Sequence, residues 1–151
     1  MRMALGADHN GYALKQAIAG QLKSLGHDVV DVGAHEIDPS DDYPDFAGAL
    51  ARTIASGEAD RGIMVCGSGV GASVAANKVR GVRAAVCHDI YSAHQGVEHD
   101  DMNVLCLGAR IIGEEVAREL VQAFVSAGFT GEERHRRRLE KVLAMEAEQA
   151  S

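Results

Sequence analysis

Cys66 stands where an apolar run ends and a glycine-rich loop begins, in GIMVCGSGVGASVAANK (residues 62–78). Gly67, Gly69 and Gly71 alternate directly after it. Glycines let the backbone come close to a ligand and turn several N–H groups inward. A helix starting near Val70 would add its positive end to the same place. Such a loop can hold a phosphate or an oxyanion formed during reaction, and it favours the thiolate of a neighbouring cysteine. It lacks the GK[ST] ending of a Walker A loop and fits the GxGxxG dinucleotide pattern poorly. GSGVG (67–71) has its serine one place away from a GxSxG nucleophile elbow, so Ser68 reads as a hydrogen-bond donor in the loop. The bland alternative is a tight strand-to-helix turn with an inert cysteine.

Three other stretches hold groups of the same kind. GADHNG (6–11) sets Asp8 and His9 between an apolar run and a helix. A helix N-cap accounts for Asp8 but less well for His9. HDDMN (99–103) precedes another apolar run, and Arg110 follows that run. In ERHRRR (133–138), Arg134 and Arg138 are four apart and share one helix face, which suits a phosphate. Arg136 and Arg137 read as a solvated face paired with glutamates. His27, His35, His88 and His94 read as surface or element-edge residues. The three cysteines, at 66, 87 and 106, are odd in number and widely spaced, so neither a disulfide framework nor a CxxC metal pattern is present. Cys87 and Cys106 read as small buried strand residues. HEID (35–38) and HDD (99–101) are too local to make a metal site, so no metal is expected.

These groups need a scaffold, and hydrophobic period indicates which one. Strands are expected at 2–6, 27–32, 61–66, 82–87 and 103–108. Helices are expected at 11–25, 44–56, 70–79, 90–98, 114–127 and 131–148. Gly26 stops the first helix and Pro44 opens the second. Val116, Leu120, Val121 and Phe124 are expected on the apolar face of the fifth. Strands alternating with helices predict an α/β fold: a five-stranded parallel sheet with helices on both faces, in one domain over 1–151. Ligands bind beyond the C-terminal ends of such strands, which points to Asp8 and His9, to 66–71 and to 99–110.

The chain has 151 residues, 46% hydrophobic and 25% charged, with a formal charge of −7. That is an ordinary globular balance. An acidic domain suits nucleic acid poorly. No apolar stretch nears the ~20 residues of a membrane span, and the N-terminus lacks a signal peptide's apolar region. A cytoplasmic location is the expectation.

Taken in order, GADHNGYALK, DYP (42–44), CGSGVGASVAANK, YSA (91–93), HDDMNVL, GARIIG (108–113) and the RHxxR of Arg134–Arg138 resemble the ribose-5-phosphate isomerase type B family, which includes galactose-6-phosphate isomerase subunits. The likeness runs over about residues 2–145. It implies a Rossmann-like three-layer sandwich and a homodimer or homotetramer with active sites completed between subunits. It also implies an aldose–ketose isomerisation through a cis-enediolate, without metal or other cofactor. The substrate is then a phosphorylated sugar, with ribose 5-phosphate leading and allose 6-phosphate, galactose 6-phosphate or a tetrose phosphate as alternatives. By the same resemblance Cys66 is the base, Ser68 passes a proton to sugar oxygens, and His99 assists ring opening. Asp8 and Tyr43 line the sugar. His9, Arg110, Arg134 and Arg138 bind phosphate. Gly67, Gly69 and Gly71 supply the loop.

Asp100 stands where that family commonly has Asn. A carboxylate cannot donate a hydrogen bond unless protonated, and its charge opposes an enediolate. Either Asp100 points away, or it is protonated, or the substrate differs. A non-catalytic sugar-phosphate or nucleotide-binding module would need neither Cys66 nor His99. A flavodoxin-like regulatory domain would share the architecture but leave Arg134 and Arg138 without a purpose.

Overall fold

A computed structural model describes residues 1–150. The elements are β1 (Arg2–Ala7), α1 (Tyr12–Ser24), β2 (Asp28–Gly33), α2 (Tyr43–Ala55), β3 (Arg61–Cys66), α3 (Val70–Ala76), β4 (Ala84–Val86), α4 (Ile90–Asp100), β5 (Val104–Gly108), α5 (Glu114–Ser126) and α6 (Glu133–Gln149). The five strands form one sheet in the order β2-β1-β3-β5-β4, every pair parallel. This is the parallel sheet with helices on both faces expected from the alternation of strands and helices, and the Rossmann-like sandwich that the resemblance implies. Chain progression reverses at β1, which lies between β2 and β3, so the crevice between the C-terminal ends of β1 and β3 is the topological switch point.

Strand alternation divides the core in two. Met3, Leu5, Ile63, Val65, Leu105 and Leu107 pack against α1, α4 and α5 through Ile18, Leu22, Val97, Leu120 and Phe124. Ala4, Met64, Cys66 and Cys106 face the other way, against Leu50, Ala51 and Ile54 of α2 and Ala72 and Ala76 of α3. The central strands β1, β3 and β5 are buried nearly throughout, as their continuous apolar runs require. Each fully buried Leu or Phe contributes about 1.5–3 kcal/mol.

Local signals act as the sequence suggests at several ends. Gly26 takes φ +86° just after α1, and the N–H groups of Leu25, Gly26 and His27 return to carbonyls of that helix's last turns. Pro44 lies in the first turn of α2, where a missing N–H costs nothing.

Four expectations need correcting. The fourth strand is three residues rather than six, because it is an edge strand paired only with β5. The 70–79 helix ends at Ala76, where the chain turns toward β4. Val116 is exposed; Ala117, Leu120, Val121, Phe124 and Val125 form the buried face of α5, a rotation of one residue that valine's hydrophobicity concealed. His99 and Asp100 are not in a loop but are the last residues of α4, held by backbone bonds into the final turn.

Candidate active site

The C-terminal end of β3 is held by its neighbours. The Asp8 N–H donates to the Val65 carbonyl, and the N–H groups of Ala109 and Arg110 donate to the carbonyls of Cys66 (2.8 Å) and Gly67 (3.0 Å). The Cys66 loop is thereby fixed between the turns that follow β1 and β5. Gly69 takes φ +84°, and a Cβ there would lie 3.0 Å from the Leu107 carbonyl carbon, so both conformation and space call for glycine. In that conformation the Gly69 N–H points at Cys66 Sγ, 3.2 Å away. Cys66 is buried among α2 and α3 residues, with only 3% of its surface exposed. Ser68 is exposed, and its Oγ accepts the Val70 N–H at 3.2 Å, which leaves its hydroxyl proton free to donate outward.

Tyr43 reaches this loop from the start of α2. A Cβ at Gly71 would lie 2.4 Å from its Cζ, so the ring lies directly on the backbone of α3's first turn. Arg110 is exposed beside Gly67 and donates to Asn10 Oδ1 at 3.1 Å. Asp8 is buried, and its Oδ1 accepts the N–H groups of Asn10 and Gly11, shaping the turn into α1. His9, half-buried, donates both its backbone N–H and its Nδ1–H to Asp41 Oδ1, at 3.1 and 2.5 Å. The Asp41 carboxylate holds the imidazole above its ordinary range; desolvation and the Arg110 guanidinium oppose this, and Asp8 assists it. The structure thus gathers Asp8, His9, Tyr43, Cys66, Gly67, Ser68, Gly69, Gly71 and Arg110 around the switch point.

The remaining expected residues lie elsewhere. A helix that follows a parallel strand runs back along the sheet. The end of α4 therefore sits near the start of β5, at the opposite end of the strands from Cys66. There the His99 ring stacks on His135, centroids 3.9 Å apart, and its Nδ1 meets Gln95 Nε2 at 2.9 Å. Arg134 and Arg138 are exposed on the first turns of α6, close by, since the Thr130 N–H donates to the Glu98 carbonyl and Thr130 Oγ1 meets His135 Nδ1 at 2.6 Å. Arg134 pairs with Glu132, and Arg137 with Glu133. Asp100 is exposed toward a different space. It lines a groove of about 410 Å³ between α6 and the outer edge of β4, together with Arg83, Leu139 and Val142.

Sequence reasoning missed three residues. Asp41 was hidden because its partner is 32 residues away. His135 sits inside an arginine run yet is buried, and burial together with the charges of His99 and Arg134 pushes its imidazole down. His88 is not a solvated histidine, because its Nε2 accepts the Gly108 N–H at 3.0 Å. The spacing RHRRR carried no signal for His135, which is one residue from Arg134 and three from Arg138, both exposed, and is itself the buried member of the run. The inert reading of the other two cysteines agrees with their surroundings: burial pushes the Cys87 thiol up to about 11 and raises Cys106 as well.

The family model described as Ribose/Galactose Isomerase matches residues 3–142. Among curated relatives, ribose-5-phosphate isomerase B of Escherichia coli (strain K12) is 43% identical, covering 96% of each chain. D-erythrulose-4-phosphate isomerase of Pectobacterium atrosepticum is 41% identical, over 87% of this chain and 86% of that one. Among solved structures, ribose-5-phosphate isomerase B of Mycoplasma genitalium with bound ribulose 5-phosphate superposes with a TM-score of 0.92 at 40% identity, covering 97% of each chain.

Proposed function

The chain belongs to the ribose/galactose isomerase family, and on that premise we propose that it is an aldose–ketose isomerase converting D-ribose 5-phosphate to D-ribulose 5-phosphate. The observation that carries this reading is Cys66 Sγ at the switch point, facing the Gly69 N–H at 3.2 Å, with His9 and Arg110 on the neighbouring turns. In the ring-opened sugar, the Cys66 thiolate removes the proton from C2. The electron pair moves into a C1–C2 double bond, and negative charge collects on the former carbonyl oxygen. The Gly69 N–H, 3.2 Å from Sγ, stabilises negative charge on the sulfur that takes the proton. The thiol then returns the proton to C1, which completes the ketose, while Ser68 moves protons between the two sugar oxygens. His9 and Arg110 take the phosphate.

His99, Arg134 and Arg138 belong to the same reading only through a second copy, because in one subunit they lie at the other end of the strands. A dimer brings His99 of one subunit to Cys66 of its partner. Exposed Val142, Leu143 and Met145 on α6, flanking the unpaired edge of β4, offer apolar surface for that contact. Asp100 lies on the groove side of α4, which in one subunit is away from Cys66.

A tetrose phosphate is a second reading, because relatives named for erythrulose 4-phosphate are nearly as similar as those named for ribose 5-phosphate. One assay on EDTA-treated protein decides between them. It measures ketose formation from ribose 5-phosphate, erythrose 4-phosphate, allose 6-phosphate and galactose 6-phosphate, with Cys66→Ala alongside. Turnover of ribose 5-phosphate that falls about 10²–10⁴-fold in Cys66→Ala is expected for loss of a general base. Full activity in Cys66→Ala would refute the assignment of the base, and preference for erythrose 4-phosphate would favour the second reading.

A further inference from the structure

The loop after β2 places one carboxylate where neither the fold nor the proton transfer requires it. Asp41 Oδ1 receives two donors from the same residue, the His9 backbone N–H and the His9 Nδ1–H. The Asp41 side chain is 9% exposed, and its Oδ2 is buried without a hydrogen-bond partner among the described residues. A buried carboxylate with one oxygen unsatisfied strongly favours a positive partner, and its ion-pair partner is His9. We infer that Asp41 is a positioning residue for phosphate recognition: it fixes the His9 ring through Nδ1 so that Nε2–H is presented to the substrate's phosphate. This rests on the reading above, in which His9 is a phosphate ligand.

The chemistry follows from the two ring nitrogens. A carboxylate only accepts, so the nitrogen facing Asp41 carries a proton. In a neutral ring the other nitrogen would then be an acceptor and would repel a phosphate oxygen. In the cation both nitrogens donate, and Nε2, on the far side of the ring, offers a charge-assisted bond. The charged groups around His9 are Asp41, Asp8 and Arg110, and Asp38 lies close enough for its own carboxyl to be affected by His9. Of these Asp41 acts most strongly, and it extends the cationic form upward in pH. A site that must grip a dianion from a sugar otherwise without charge gains from a cation whose range Asp41 extends upward in pH.

The test uses the full-length protein, inorganic phosphate as competitive inhibitor, and NMR titration of the His9 ring. Asp41→Asn keeps the shape and one acceptor oxygen but removes the charge; Asp41→Ser is the companion in case the first fails to fold. The expected result is a downward move of the His9 titration midpoint. Phosphate inhibition and KM should weaken by up to roughly tenfold above the ordinary imidazole value of 6.5, by loss of one charge-assisted contact, with little change at low pH where the ring is cationic in both proteins, and with kcat retained. An unmoved midpoint with unchanged inhibition would overturn the inference, as would a fall in kcat at constant KM. His9→Asn separates the two levels of the argument. If it leaves KM and phosphate inhibition intact, the assignment of His9 to phosphate fails; if it weakens both while Asp41→Asn does not, only the role of Asp41 fails.

Discussion

Replacing Gly71 with alanine tests whether the Tyr43 ring is part of the substrate site. The new Cβ would lie 2.4 Å from Cζ, 2.7 Å from Cε2 and 2.8 Å from Oη of Tyr43. Carbon atoms rest about 3.5–4.0 Å apart, so the ring must withdraw by about 1 Å. Tyr43 is partly exposed at the first position of α2 and has room to do so. Gly71 lies inside α3 and is not among the glycines at positive φ, so alanine also fits the helix and contributes about 0.5–1 kcal/mol over glycine. Stability should therefore hold or rise while activity falls. A displacement of about 1 Å in a positioning group can cost up to about 10²-fold in rate. The assay is kcat/KM for ribose 5-phosphate beside a thermal melt, for Gly71→Ala, Tyr43→Ala and the double variant. In the double variant the clash is gone, so Gly71→Ala should add no further loss to Tyr43→Ala. Wild-type activity in Gly71→Ala, or an equal loss from Gly71→Ala in both backgrounds, would refute the reasoning.

Under the shared-site proposal, mixing Cys66→Ala with His99→Gln subunits should restore activity that neither variant has alone. Random pairing leaves one intact shared site in half the dimers, or roughly a quarter of wild-type activity; no recovery after confirmed subunit exchange would refute the shared site. Lys15 is fully buried, with Nζ donating to both Asp31 oxygens at 2.9 Å and to the Ala34 carbonyl, so Asp31→Ala should cost about 3 kcal/mol in urea unfolding by leaving a buried charge unpaired. Gly11→Ala drives a Cβ to 2.3 Å from the Val65 backbone oxygen, which cannot withdraw, and should destabilise severely. Gly20→Ala, with open space around it, should stabilise by about 0.5–1 kcal/mol; similar melts for the two would contradict the packing. His135 has its protonation disfavoured in the fold, so the unfolded chain binds the proton first as pH falls below the ordinary value of 6.5. Its contribution to stability is therefore complete above that value and lost toward the lower folded value. Melts from pH 7.5 to 5 should show a shallower acid decline in His135→Gln.

The sheet and its helices were legible because hydrophobic period is a local property. GIMVC reads as a buried strand, and Leu14, Ile18 and Leu22 recur at helical spacing, whatever surrounds them. The loop at Cys66 was legible for the same reason, since three alternating glycines after a strand constrain the backbone within a few residues. The first half of the candidate site followed directly, because residues just past parallel strands must gather at their C-terminal end. The second half did not follow. HDDMN reads as another loop after the helical pattern, yet His99 and Asp100 complete α4 and stand at the end of the strands away from Cys66. That placement depends on the direction in which a crossover helix returns along the sheet. Asp41 meets His9 only because β2 pairs beside β1 and carries its following loop over the switch point. Lys15 is satisfied in the core only because Asp31 and the Ala34 carbonyl are brought to it. His135 is buried because α6 lies against α4. In each case the partner comes from a distant part of the chain, so the contact exists only once packing has set the path between them, and no local pattern of residues encodes it.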